Sequence, residues 1–192
     1  CFIVADGLGG HDQGEIAAKL FCDHFIKQFR SSKLQKRFDK QELEALFELA
    51  LKKMQAQIFK DYPDINSHTT CAIVIINKHN WATLHIGDSR VYHITSDGNI
   101  SRTRDHSVTQ MLLDDGEIAE DDMGTHPDQG RLIKSIGIKA VRPSIKIYPA
   151  LGVEDTLLLC SDGFWERFKQ AEIIGLFGQS KLPELKTLAH QA

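Results

Sequence analysis

The amino-acid sequence predicts an α+β fold, and three observations carry the prediction. Apolar residues recur at helical spacing in two long segments near the start of the chain. A series of short, β-branched runs separated by turn residues follows, and helical patterning returns only after those strands have begun. Helices grouped outside a block of strands, not alternating with them one by one, indicate segregated α+β architecture in place of a βαβ wind.

The elements follow in order. Phe2 to Ala5 is an apolar run that stops abruptly at Asp6, and Gly7, Gly9 and Gly10 precede a helix over Gly14 to Arg30. There Ile16, Ala17, Leu20, Phe21, His24, Phe25 and Phe29 fall at spacings of three and four. A second amphipathic helix spans about Lys40 to Phe59, with Leu43, Leu46, Phe47, Ala50, Leu51, Met54 and Ile58 on one face. Pro63 ends it, and the β-branched run after it opens a meander of strands over Thr69 to Ile76, Trp81 to Ile86, Val91 to Thr95 and Ile100 to Ser101. Turn residues separate them at Asn77 to Asn80, Gly87 to Ser89 and Ser96 to Asn99. Between Asp105 and Ile138 a long polar stretch, broken by Gly116, Gly124 and Pro127, predicts short helices and loops of the kind that carry function. Strands return at Ser144 to Tyr148 and Thr156 to Cys160, and two short helices over Gln170 to Ala192 close the chain.

At 192 residues the chain is long enough for one domain with a substantial core. Its composition, 42% hydrophobic and 26% charged, excludes a disordered or fibrous class. No apolar run approaches the roughly 18 to 20 residues of a membrane span. With 23 basic against 26 acidic residues, and the basic ones scattered apart from Ser31 to Arg37, there is no concentrated face for nucleic acid. Cys1, Cys22, Cys71 and Cys160 match no zinc spacing and read as reduced thiols in a cytoplasmic protein.

The chemistry begins with the acid that ends the first strand. Thr156 to Cys160 repeats the device, running into Ser161, Asp162 and Gly163. A carboxylate at the rim of a core is destabilised by desolvation unless a cation offsets its charge, so two such ends invite a shared cation. Magnesium and manganese favour oxygen donors, and a glycine beside the acid lets its carbonyl be approached closely. Two such ions together can activate water and stabilise charge on a phosphate. Aspartate-glycine pairs are also ordinary turn formers. The glycines raise a rival, the dinucleotide fingerprint, but Asp12 stands where the third glycine or alanine belongs and Asp6 would repel pyrophosphate.

Four segments, in order, resemble the metal-dependent protein phosphatases (PPM, or protein phosphatase 2C type) in their compact bacterial form. They are VADGLGGHDQGEIAA at Val4 to Ala18, LHIGDSRVYHI at Leu84 to Ile94, TRDHSVTQMLLDDGEI with THP at Thr103 to Pro127, and LLLCSDGFWE at Leu157 to Glu166. The resemblance implies a four-layer α-β-β-α sandwich with two central, mainly antiparallel sheets. It implies a protein serine/threonine phosphatase using two Mn2+ or Mg2+ ions, with a third, weaker site, acting on phosphoprotein substrates as a monomer. Carried over by position, Asp6 is a bridging metal ligand, Gly7 offers its carbonyl, Asp162 is a further ligand and Asp105 serves the third metal. His11 is the candidate proton donor to the leaving oxygen, Asp88 to Arg90 shape a turn, and about residues 105–137 form a mobile flap.

The family's opening strand, with an arginine and an acidic pair, and its closing strand, with an Asp-Asn pair, have no counterpart between Cys1 and Ala192. The expectation is therefore one PPM-type domain over 1–192 without those strands, either part of a longer enzyme or an inactive relative serving as a binding or regulatory module.

Overall fold

The computed structural model describes residues 1–8, 14–34 and 36–177. In chain order the strands are β1 (Phe2–Val4), β2 (Gly7–Leu8), β3 (His68–Thr69), β4 (Cys71–Ile76), β5 (Asn80–Ile86), β6 (Arg90–Ile94), β7 (Ile100–Arg102), β8 (Ser144–Pro149) and β9 (Thr156–Cys160). The helices are α1 (Gly14–Ser31), α2 (Lys40–Asp61), α3 (Val108–Asp114), α4 (Asp162–Trp165) and α5 (Gln170–Phe177), with a 3-10 turn at Glu120–Thr125.

Period-two patterning explains how the strands stack. Cys71, Ile73 and Ile75 of β4, with Leu84 and Ile86 of β5, pack under Phe21 and Phe25 of α1 and Phe47, Leu51 and Met54 of α2. The alternate residues Ala72 and Val74, joined by Trp81, face the other way and meet Val91, Leu157 and Leu159. Beyond that layer Tyr92, Ile94 and Cys160 turn outward onto Met123, Trp165, Ile173 and Phe177. The result is helices, a four-stranded antiparallel sheet in the order β1-β4-β5-β8, a three-stranded antiparallel sheet in the order β7-β6-β9, and an outer helical layer. The expected α+β sandwich is what forms. Each fully buried Phe or Leu contributes roughly 1.5–3 kcal/mol.

Helix α2 begins with a reciprocal cap: the Glu42 backbone N–H donates to Asp39 Oδ1 at 2.8 Å and the Asp39 N–H to Glu42 Oε2 at 2.9 Å. Two strand expectations are corrected. The run over Thr69 to Ile76 breaks at Thr70, so β3 pairs with β2 while β4 pairs with β1. The meander also ends at β5, because Gly87 to Ser89 carries the chain across to the second sheet and not back along the first. Gly87 makes that crossing at φ 89°, and a Cβ there would also stand 2.6 Å from Thr70 Cγ2. The expected helix after Pro183 lies outside the described residues. Among those described, no helix is long and apolar enough to cross a membrane.

Candidate metal centre

Asp6 follows β1, and Asp162 opens α4 directly after β9. Because β1 and β9 lie against each other, the two strand ends converge. The carboxyl of Asp6 reaches that of Asp162 within hydrogen-bonding distance, and its pKa is raised, first by burial and then by the contact and charge of Asp162. Donors from Ser161 and the Gly7 backbone oppose that rise. Asp162 Oδ1 also accepts from the Gly163 N–H at 2.8 Å, and Gln129 Nε2 lies 3.4 Å from Oδ2. Two carboxyls in contact cannot both carry full charge unless a proton or a cation sits with them.

The backbone around Asp6 is closely held. Thr70 N–H donates to the Asp6 carbonyl at 2.8 Å, as does the Thr69 hydroxyl, while the Asp6 N–H donates to Thr70 Oγ1 at 3.1 Å. Thr70 Oγ1 in turn lies 2.6 Å from Ser89 Oγ, which ties the crossing between the sheets to the end of β1. Gly7 and Gly14 touch backbone to backbone: a Cβ on Gly14 would lie 2.8 Å from the Gly7 carbonyl, and one on Gly7 would collide with the carbonyl of Gly14. The glycines thus bring the first turn of α1 onto the residue after the acid.

Asp88 belongs to the same neighbourhood. Its carboxyl is pushed up to about 7 by burial, then by the charges of Asp162 and Asp105. Its carbonyl accepts from Trp165 Nε1 at 2.9 Å, so α4 and the inter-sheet crossing are pinned together. A turn role alone does not account for a buried carboxyl beside Asp162. The sequence held a signal for it, since Trp81 to Ile86 runs into Gly87-Asp88 as a third apolar strand ending on an acid.

Asp105 is placed differently from the expectation. Its side chain is fully buried and taken up by arginines: Arg90 Nη2 donates to Oδ2 at 2.6 Å, Arg90 Nε lies 3.0 Å from both oxygens, and Arg102 Nη1 is 3.3 Å from Oδ1. The Arg90 guanidinium also stacks 3.4 Å from the Trp165 ring centroid and donates to Tyr92 Oη. With its oxygens committed to guanidinium donors, Asp105 is a counter-ion and not a free ligand. Service to a third metal would require Asp105 to give up these arginine partners. The sequence offered no sign of this pairing, because Arg90 lies on another strand.

His11, the expected proton donor, lies outside the described residues. Among those described, no three His, Cys, Asp or Glu side chains converge tightly enough to enclose an ion. The paired Asp6 and Asp162, with Asp88 at their flank, are the donors that remain, and their all-oxygen chemistry fits a hard divalent cation. Cys160 is no competing nucleophile, since burial pushes its thiol up to about 12.

The segment over residues 105–137 lies beside this pair through Gln129. It is stitched to the body by a reciprocal backbone pair between Thr69 and Ile136, both bonds 2.8 Å, and is closed on itself by Val108 N–H donating to the Arg131 carbonyl at 2.9 Å. Gln55 of α2 adds donors to the carbonyls of Gly137 and Ile138.

Comparison with known proteins agrees with this arrangement. The protein phosphatase 2C family model matches residues 1–185. The serine/threonine phosphatase stp of Listeria innocua is 27% identical over 194 residues, covering 99% of this chain and 74% of that protein. Among solved structures, the Mycobacterium tuberculosis serine/threonine phosphatase PstP/Ppp superposes with a TM-score of 0.81 at 27% identity, over 98% of this chain and 78% of that one. A structure of the PstP catalytic domain in complex with two manganese ions gives 0.79 at 26% identity, over 98% and 77%. Strand ends that converge on paired aspartates, the two-sheet sandwich and a match along nearly its whole length agree: this chain belongs to the protein phosphatase 2C family.

Proposed function

We propose that the chain is the catalytic body of a metal-dependent protein serine/threonine phosphatase, hydrolysing phosphoserine and phosphothreonine with Mn2+ or Mg2+. The contact between the Asp6 and Asp162 carboxyls carries this reading, because it concentrates negative charge where only a cation or proton relieves it. Asp6, Asp162 and the Gly7 carbonyl would hold the ions, with Asp88 as the further ligand in place of Asp105. Bound divalent cations supply an activated water and neutralise charge on the phosphate.

The chain's own residues set the geometry. Thr69 and Thr70 fix the Asp6 backbone, Trp165 fixes the carbonyl of Asp88, and Gly7 with Gly14 fixes the approach of α1. Gln129 brings the segment over residues 105–137 to Asp162, where it serves as a flap over a bound phosphopeptide. His11 remains the proposed donor to the leaving serine or threonine oxygen. Of the four cysteines, Cys71 and Cys160 are buried, and all are unpaired, which supports a cytoplasmic setting. A monomer suffices, since the site is composed within one chain.

The test is phosphate release from a phosphothreonine peptide with manganese, with EDTA and with Asp162→Asn. Release that needs manganese and is abolished by EDTA and by the substitution is expected. Folded, manganese-loaded protein that releases none from several peptides and an aryl phosphate would overturn the proposal.

A further inference from the structure

The layer between the two sheets changes character along its length. At its centre Ala72, Val74, Trp81 and Val91 form an apolar contact. Toward the side bounded by β7 and β8 the same face of β5 presents Thr83 and His85, opposite Lys146 and Ser144 of β8. Arg104 and His106 complete a cavity of about 310 Å3. That volume is at the lower end of small-molecule sites, room for a compact ligand and not for a folded partner.

Packing gives no reason for this composition. Thr83, His85 and His106 are 3%, 5% and 6% exposed, and buried polar groups weaken a sandwich core unless they are satisfied. They are not all satisfied, since His85 Nδ1 has no partner. His85 Nε2 lies 2.7 Å from the Arg104 carbonyl and therefore carries the proton, and burial holds the ring neutral, so the unpartnered Nδ1 is an acceptor that suits the P–OH hydrogen of a monoprotonated phosphate group. His106 accepts the Gly87 N–H at Nδ1, so its Nε2 proton goes to Ser144 Oγ at 2.8 Å and leaves the serine hydroxyl hydrogen free to donate. The lining holds three cations and no carboxylate. Arg102 is internally paired with Asp105 and Glu120, and Arg104 meets Asp114 outside the cavity. Lys146 has no acidic partner among the described residues, its ammonium lying 5.0 Å from the Tyr148 ring centroid.

We propose that this cavity is a second anion site that takes a phosphate group, with Lys146 as its charge partner and Ser144 and Thr83 as hydroxyl donors. It is separate from the metal centre but wired to it. His106 holds both backbone groups of Gly87, accepting its N–H at 3.2 Å and donating its own N–H to the Gly87 carbonyl at 2.8 Å, and Gly87 precedes Asp88. Phosphate that engages Ser144 therefore acts through His106 on Gly87 and so on Asp88, which flanks the Asp6–Asp162 pair. The source is either free inorganic phosphate, the product of hydrolysis, or a phosphoryl group still on a peptide.

The test uses the whole chain carrying Asp6→Asn and Asp162→Asn, in EDTA, so that neither metal-bound phosphate nor turnover contributes. Amide and imidazole resonances are followed while inorganic phosphate, a phosphothreonine peptide or, at matched ionic strength, chloride is added. Saturable shifts at Gly87, His85 and His106 with phosphate, weakened at least tenfold by Lys146→Met, are expected; Lys146 is exposed, so that variant retains the fold, checked by its melting temperature. Shifts of the same residues by the peptide assign a substrate-borne group, and shifts by inorganic phosphate alone assign the product. No shift, an equal shift with chloride, or an unchanged response in Lys146→Met overturns the site. Because no activity is read, this outcome is independent of the phosphatase proposal.

Discussion

Replacing Asp88 by Asn probes the charge balance of the metal centre directly. Unfolded, this carboxyl ionises near 3.8, and in the fold near 7, so between those values the native state keeps a proton that the unfolded chain has released. The stability this gives is complete below pH 4 and is lost as pH rises through about 7. At about 1.4 kcal/mol per pH unit the loss reaches at most about 4 kcal/mol, since roughly three units separate the two states. His106 works in the opposite sense, because its folded pKa of about 3 makes stability grow as pH rises toward 6.5. The parent's own profile is therefore a sum of opposed slopes, and the informative quantity is the difference between parent and Asp88→Asn. Urea denaturation in EDTA at pH 4, 6 and 8 measures it. The variant should match the parent at pH 4 and exceed it by about 2–4 kcal/mol at pH 8, and saturating manganese should abolish that advantage. A difference constant within about 0.5 kcal/mol across the range would refute the placement of Asp88 beside Asp162.

Other outcomes follow from the same contacts. Asp105→Ala leaves the buried Arg90 and Arg102 with only the partly exposed Glu120 as counter-ion and should cost about 3 kcal/mol in urea, far more than a surface carboxylate. Trp165→Phe keeps an aromatic ring over Arg90 but strands the buried Asp88 carbonyl, which should cost about 1–3 kcal/mol and weaken manganese binding measured by calorimetry. Gly7→Ala drives a methyl into Gly14, so α1 should shift and both melting temperature and manganese affinity should fall together.

The legible part of the fold was that governed by local periodicity. Cys71, Ile73 and Ile75 alternate with Ala72 and Val74, and that alternation alone announces a strand buried on both faces. The heptad-like face of α2 was equally plain, down to its start at Lys40. What local pattern cannot state is which strand comes next to which. Gly87 to Ser89 has turn chemistry whether the chain reverses along one sheet or crosses to another, and only the packing of Gly87 on Thr70 distinguishes them. Charge pairing was hidden for the same reason. Asp88 and Asp105 are each a single acid near an arginine in sequence, and the fold assigns Arg90 to Asp105 and leaves Asp88 toward Asp162. Asp6 and Asp162 were readable because each ends an apolar strand, a position with few structural uses for a carboxylate.

The most direct measurement is a calorimetric titration of manganese into the folded chain, comparing the parent with Asp162→Asn and Asp105→Asn. The account predicts that Asp162→Asn weakens binding at least tenfold, while Asp105→Asn lowers stability and leaves the manganese stoichiometry as it was. Unchanged binding in Asp162→Asn, or a site lost only with Asp105, would contradict it.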